Sequence, residues 1–223
     1  MSTEKQQGEI HRTISEFENT TLLSDKEALA NDLIELISHH SYIGQVKEFM
    51  TAFKQDVASS PALPSKETMK LRLALLLEEL IELSEACGKE VASDFSVLLH
   101  NKSQELHHNT EKALVETGNV VDAFDALLDI QYVLSGAVLA FGLQTKFDTG
   151  FEEVHRSNMS KACDSLILAQ ETKSKYEGMG TECYIDLSEV EKGIWTVRRT
   201  GDRKLLKSND YSPANLNQIL LDA

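Results

Sequence analysis

The sequence predicts a mainly α-helical protein carrying a small β-containing C-terminal appendage, and three observations carry that prediction. Leu, Ala and Glu are abundant, while Pro (3) and Gly (11) are scarce among 223 residues, a composition that argues against a disordered chain or a β-sandwich. Apolar residues recur at helical spacing through most of the chain. After Glu182 the texture changes, and two short strand-like runs, Cys183-Tyr184-Ile185-Asp186-Leu187 and Ile194-Trp195-Thr196-Val197, flank Glu191-Lys192-Gly193. The length suits one domain or one and a half, with ample material for a core.

The elements follow in order. Ile10 to Phe17 shows a weak helical pattern. Ser24-Asp25-Lys26-Glu27 is a capping box, opening a helix whose stripe is Leu29, Leu33, Leu36 and Ile37 and which ends near His39-His40. A helix from about Ile43 carries Val46, Phe49, Met50 and Phe53. The loop Ser59 to Pro64 follows, because each proline pushes its predecessor out of the helical region. Ser65 caps a long helix from Met69 to about Gly88, where glycine is a natural stop. An amphipathic helix spans roughly Val91 to Leu114, and Gly118-Asn119 breaks it. Val120 to Gly142 is apolar nearly all round, the mark of a helix buried at the centre of a bundle. Phe147 to Lys173 reads as helical. Ser212-Pro213 caps a last short helix, with proline at its first position.

Charge and cysteine usage exclude several classes. Lys plus Arg is 22 and Asp plus Glu is 36, a formal net charge of −14. So acidic a surface repels nucleic acid and anionic membranes, and neither is expected as a partner. The three cysteines, Cys87, Cys163 and Cys183, are too few and scattered for a disulfide framework or a zinc knuckle. They read as free thiols, and the expected compartment is the cytoplasm. The first twenty residues hold no apolar run, so no secretion signal is expected. Val120 to Phe141 carries three aspartates and a glutamine, which argues against a membrane span.

Two acidic helix faces carry the chemistry. In Leu73 to Leu83, Glu78, Glu79 and Glu82 sit within a leucine-rich helix, three and four positions apart, where like charges repel. Arg72 lies two turns before Glu79 on the same stripe. Taken alone this is a solvated acidic face. In Val120 to Ile130, however, the only charges are Asp122, Asp125 and Asp129, spaced by three and then four residues within a sector of roughly 60°. Among Val, Phe and Leu, with no basic residue on that helix, buried carboxylates would have to take up protons or a cation. The two faces are therefore expected to meet around a divalent ion. Their ligands are all carboxylate oxygens, which favours Mg²⁺, or else Mn²⁺, over zinc or copper. Such a site suits a di- or triphosphate.

Glu78-Glu79-x-x-Glu82, followed by Asp125-Ala-Leu-Leu-Asp129-Ile-Gln-Tyr132-Val-Leu-Ser-Gly136, resembles the all-α nucleoside triphosphate pyrophosphohydrolases. That superfamily includes MazG-like proteins, dimeric dUTPases and phosphoribosyl-ATP pyrophosphohydrolases. Glu153-Val154-His155-Arg156-Ser157-Asn158-Met159-Ser160-Lys161 looks like the segment after the last core helix of one MazG-like branch. Val46-x-x-Phe49-x-x-x-Phe53 and Arg72 match that branch too. The resemblance covers about Val46 to Lys161 and, more faintly, Tyr211-Ser-Pro-Ala.

The resemblance implies an all-α MazG-like helical bundle. It also implies that Glu79, Glu82 and Asp129 ligate Mg²⁺, with Glu78 a further ligand or the carboxylate that orients the attacking water. The family's second motif is usually E-x-x-D, and here Ala126 stands at the Glu position. Asp125 and Asp122 are the remaining candidate ligands. Arg72, Arg156, Asn158 and Lys161 would meet the substrate. A basic tail (Lys192, Arg198, Arg199, Arg203, Lys204 and Lys207, against Asp202) reads either as surface charge balance or as a flap. In the second case Arg199 and Lys204 would contact phosphate oxygens.

The expected organisation is an N-terminal helical extension over 1–42, a core over 43–175 with an inserted helix at about 89–119, and a C-terminal hairpin and short helix over 176–223. The expected reaction is hydrolysis of a (deoxy)nucleoside triphosphate to monophosphate and pyrophosphate. Phosphoribosyl-ATP hydrolysis and a non-catalytic metal- or partner-binding role stand as alternatives. Apolar helices with few loops suggest a homodimer or homotetramer. Phe49, Phe53 and Tyr132 read as core residues rather than stacking platforms. The pairs His39-His40 and His107-His108 diverge on a helix and are set aside as ligands.

Overall fold

The computed structural model of the chain describes residues 3–20, 25–26, 28–33, 41–111, 118–187 and 193–221. Among the described residues, the regular structure is helical apart from one two-stranded sheet. The chain divides into two compact units, Met1–Val57 with Val138–Ala223, and Ala58–Ala137.

In the first unit, helix α1 (Thr3–Asn19) extends well beyond the weak pattern at Ile10 to Phe17. Residues 28–33 are helical. The capping-box residues Ser24 and Glu27, with Leu36, Ile37, His39 and His40, lie outside the described residues. Helix α2 (Tyr42–Ala52) starts at Ser41, whose hydroxyl accepts from the Gly44 N–H at 3.0 Å. Its apolar row ends in buried Ala52 and Phe53, with the Phe49 ring 4.4 Å from that of Phe53.

The predicted helical stretch from Phe147 to Lys173 is two helices, α6 (Phe147–Met159) and α7 (Leu166–Gly178). Competing main-chain hydrogen bonds explain the break. Cys163 and Trp195 exchange N–H to C=O bonds at 2.8 and 2.9 Å, drawing the chain out of the helix. Ser165 then restarts it by accepting from the Leu168 N–H. α6 packs against α2, where Tyr42 lies against Phe147 and Phe151.

Strands β1 (Cys183–Leu187) and β2 (Trp195–Arg199) form the predicted hairpin, paired antiparallel from Cys183 with Arg199 to Leu187 with Trp195. α7 covers both strands. Cys163, Ala169, Cys183, Val197 and Leu206 form the buried cluster between them, with Trp195 packed against it. Arg198 ties the hairpin to the end of α2, donating to the Phe53 carbonyl at 2.5 Å, while Lys54 pairs with Asp186 at 2.8 Å.

The last helix, α8 (Leu216–Leu221), begins later than the predicted Ser212-Pro213 start. Asn215 caps it, accepting from the Gln218 N–H at 3.4 Å. The Ser212 N–H is instead committed to the Ser160 hydroxyl at 3.0 Å, so the chain there stays extended along α6.

In the second unit, α3 (Lys66–Ala86) is capped by Ser65 as predicted. It ends at Cys87-Gly88, where Gly88 adopts φ +103°, a conformation that favours glycine. This short turn sends α4 (Lys89–Glu111) back against α3. Helix α5 (Val120–Ala140) begins at Asn119, whose side chain accepts from the Val121 N–H; its last three residues belong to the first unit.

The expected burial of α5 does not occur in the single chain, and none of its residues is buried. Phe124 is 62% exposed and Tyr132 82%, so Tyr132 is not a core residue within one chain. The reason is chain order, since α3 takes its nearest sequence neighbour α4 as partner and leaves α5 without an equivalent one. By length and composition α5 is also apolar enough to cross a membrane, yet Asp122, Asp125 and Asp129 stand on it at a cost in hydrocarbon.

Candidate functional site

α3 holds Glu78, Glu79 and Glu82 exposed along one side, with Arg72 half-buried earlier on the same helix. Their spacing follows from the helical repeat. On α5, Asp122, Asp125 and Asp129 are likewise exposed. The expected meeting of the two acidic faces is absent within one chain. Among the described residues, no three acidic, His or Cys groups come close enough together to hold a metal ion. As a donor set these carboxylates fit a hard cation, being oxygen ligands without thiolate or imidazole. Each face alone supplies only part of a coordination shell.

The C-terminal end of α6 is a second, more ordered constellation. Arg156 grips Glu153 through two bonds of 2.7 and 2.8 Å and donates to the carbonyls of Ser212 and Pro213 at 3.4 and 3.2 Å. The Asn215 N–H completes Glu153 at 2.8 Å. Arg156 first and the Asn215 N–H second hold the Glu153 carboxyl down at about 2. The guanidinium expected to meet substrate is therefore engaged in fastening the tail to α6.

Lys161 donates to the Asn158 side-chain oxygen at 2.7 Å and stands 5.8 Å from the centre of the Phe49 ring. The Ser208 N–H donates to the Lys161 carbonyl at 3.2 Å, which sets Lys207 beside it. Lys207 lies 4.2 Å over the Tyr211 ring, and buried Ser157 donates to the Tyr211 hydroxyl at 3.3 Å. Ser157 above all, then Lys207 and Lys161, pull the Tyr211 phenol below its usual value.

The basic tail is partly self-paired. Arg199 forks onto Asp202 at 2.9 and 2.7 Å, and the Lys204 N–H donates to the same carboxylate at 3.1 Å. Arg199 holds the Asp202 carboxyl at about 2. Lys192 lies outside the described residues. Arg198 is structural, bound to Phe53 and Asp186.

Sequence reasoning missed the roles of Glu153, Ser157 and Ser208. Glu153 and Arg156 stand three apart on a helix, so their pairing was legible. The bonds from Ser157 to Tyr211 and from Ser208 to Lys161 join α6 to a tail about fifty residues away and left no local mark.

The acidic helices and the α6 segment recur together in one family description. The family model described as phosphoribosyl-ATP pyrophosphohydrolase matches residues 46–158, half of the chain. No curated protein and no solved structure matches the chain. The matched span runs from α2 through both acidic rows to Asn158, in the order the motifs require. With that span matched, the chain belongs to the phosphoribosyl-ATP pyrophosphohydrolase family of the MazG-like superfamily, whose members are pyrophosphohydrolases acting on nucleotides.

Proposed function

We propose that the chain hydrolyses a (deoxy)nucleoside triphosphate between its α and β phosphates, releasing a nucleoside monophosphate and pyrophosphate as a nucleotide-pool housecleaning enzyme. The observation that carries this reading is the family match across both acidic helices, α3 and α5. Glu79, Glu82 and Asp129, with Asp125 and Asp122, would hold Mg²⁺. When bound, the ion offsets the charge of the leaving pyrophosphate and makes water a better nucleophile. Glu78 accepts the proton of the attacking water and orients it on the α-phosphorus. As the water oxygen bonds to phosphorus, the α–β bridging bond breaks and pyrophosphate leaves. Arg72, Asn158 and Lys161 supply positive charge and hydrogen bonds to the nucleotide.

The second reading is phosphoribosyl-ATP as substrate, and the description of the matched family favours it. Against it stand the inserted helix α4 and the C-terminal tail, neither of which a minimal enzyme for that one substrate needs.

The active form in this reading is a homodimer or homotetramer working in the cytoplasm. The support is the apolar surface of α3 and α5, where Leu73, Leu80, Phe124, Leu127 and Val133 are all at least half exposed. So many exposed large apolar side chains on two helices are unusual for a monomer, and a second copy of the chain would cover them.

The test is pyrophosphate release with Mg²⁺ from a panel of canonical and modified nucleoside triphosphates, phosphoribosyl-ATP included. Release that EDTA and Glu79→Gln abolish supports hydrolysis, and the preferred substrate separates the two readings. Silence across the panel from folded, metal-loaded protein overturns both and leaves a binding role.

A further inference from the structure

The family match ends at residue 158, so helix α7 and the tail stand wholly beyond it. They meet at a buried polar ring. Thr172 of α7, Cys163, and Ser208 of the tail are all closed off from solvent. The Cys163 thiol donates to the Ser208 hydroxyl at 3.5 Å and lies 3.8 Å from the Thr172 hydroxyl. A thiol carries one proton, so with that proton on Ser208 the Thr172 hydroxyl is the donor to sulfur. The Asn209 N–H closes the ring, donating to the Thr172 hydroxyl at 3.1 Å.

We infer that Thr172 is a positioning residue, which through Ser208 and Asn209 holds the tail in the register that fixes Lys161 against the nucleotide.

The chemistry of position 172 carries the first step. Valine would fill the same space, and a hydroxyl at a site with no solvent exposure is costly unless it is bonded. Here the hydroxyl is spent on the tail's main chain and on the sulfur that holds Ser208. Register is the second step. Lys207 and Asn209 on either side of Ser208 are exposed, and a slip of one residue would drive a lysine or an amide into the ring. The third step leads from the ring to α6. The same Ser208 whose hydroxyl sits in the ring donates its N–H to the Lys161 carbonyl at 3.2 Å, and its carbonyl accepts from the Tyr211 N–H at 3.1 Å. That turn brings Tyr211 to Ser157. One hydroxyl on α7 therefore fixes where both Lys161 and Tyr211 stand.

That Lys161 meets a nucleotide rests on the proposed function, but the hold on the tail does not, and two readouts keep them apart. The first is KM and kcat for pyrophosphate release with Mg²⁺ from the panel triphosphate that wild type turns over fastest. The second is Tyr211 ionisation in the full chain without metal or nucleotide, followed by NMR of 13C-labelled tyrosine and assigned with Tyr211→Phe. Ser157 first, then Lys207 and Lys161, hold the Tyr211 phenol below its usual value, so a slackened tail lets it rise. Thr172→Val should raise KM about tenfold with kcat nearly unchanged, the pattern of lost binding and not of lost chemistry. It should also move the Tyr211 phenol upward. Thr172→Ser, which keeps the hydroxyl, should restore both readouts. Leu168→Ala trims another α7 side chain packed against the same core; it should lower the melting temperature and move neither.

The assignment is overturned if folded Thr172→Val leaves Tyr211 unmoved, or if an active chain shows unchanged KM or a loss confined to kcat. It is equally overturned if Thr172→Ser behaves like Thr172→Val, or if Leu168→Ala shifts both readouts as far. Should Thr172→Val not fold, Ser208→Ala removes the ring from the tail's side and carries the same expectations. A chain that releases no pyrophosphate, yet whose Tyr211 phenol rises in Thr172→Val, would sink the proposed function alone.

Discussion

Arg156 and Glu153 face each other across one turn of α6, joined by two hydrogen bonds of 2.7 and 2.8 Å, and the pair anchors the C-terminal tail. From Arg156 two further bonds reach the Ser212 and Pro213 carbonyls, and Glu153 takes the Asn215 N–H. A residue on the matched family segment thus serves a tail that lies outside it.

This pair predicts an acid-sensitive tail. The folded Glu153 carboxyl sits at about 2, below its ordinary value. A depressed carboxylate stabilises the fold fully above its unfolded value, and that contribution fades as pH falls toward about 2. With Arg156 nearly half exposed, solvent screening keeps the gain modest. Glu153→Gln should cost about 1 kcal/mol at neutral pH, and the gap from wild type should close in acid. Paired thermal melts at neutral and acid pH measure it, and a gap that does not change with pH would contradict the pairing.

Tyr42 predicts the opposite limb. Its hydroxyl donates to Asp148, and that bond, ahead of burial, raises the phenol to about 12. A raised acid favours the fold below its unfolded value, so stability should fall as pH climbs from about 10 toward about 12. Asp148→Asn should bring the phenol back toward its usual range and flatten that loss. Alkaline absorbance titration of wild type and variant decides it.

What the sequence made legible divides along local and long-range lines. Ser65, with its N-cap bond to Thr68, and Gly88, at positive φ, were readable because the signals act within four residues. The hairpin was readable from β-branched and aromatic runs on either side of a turn. The split of the 147–173 stretch was not, because Cys163 leaves the helix to pair with Trp195, 32 positions on. The acidic rows were visible as patterns, but their mutual placement depends on which helices pack. α5 was read as central from its apolarity alone, and apolarity says that a surface must be covered without saying by what. Apart from the Tyr211 hydroxyl, the tail's hold on α6 uses the tail's own main-chain groups, which every residue carries and no pattern marks.

The uncovered α5 surface predicts an association equilibrium. Val133 is 70% exposed and Phe124 62%, and a charge placed among such residues opposes their burial against a second chain. Val133→Glu should convert a dimer or tetramer to monomer in sedimentation equilibrium, with helix content retained. A wild-type chain that sediments as a monomer at all accessible concentrations would refute the association.

The exposed glutamates make a final prediction in which stability and activity part company. Glu79 lies three positions from Glu82 on an exposed helix face, so in metal-free protein their charges repel by a few tenths of a kcal/mol. Glu79→Gln should therefore leave the apo melting temperature unchanged or slightly raised, and Asp129→Asn should behave alike with respect to Asp125 and Asp122. Under the proposed function the same substitutions remove ligands for the ion that serves the transition state, and pyrophosphate release should drop by at least about 10²-fold. Mg²⁺ should raise the wild-type melting temperature by mass action, by about 2.7 kcal/mol of stability at a hundredfold excess over its dissociation constant. Neither variant should show that rise. If instead both melt well below wild type without metal, the carboxylates hold the fold and not an ion. If both keep full activity, the acidic rows are solvated surface and the nucleotide is attacked elsewhere.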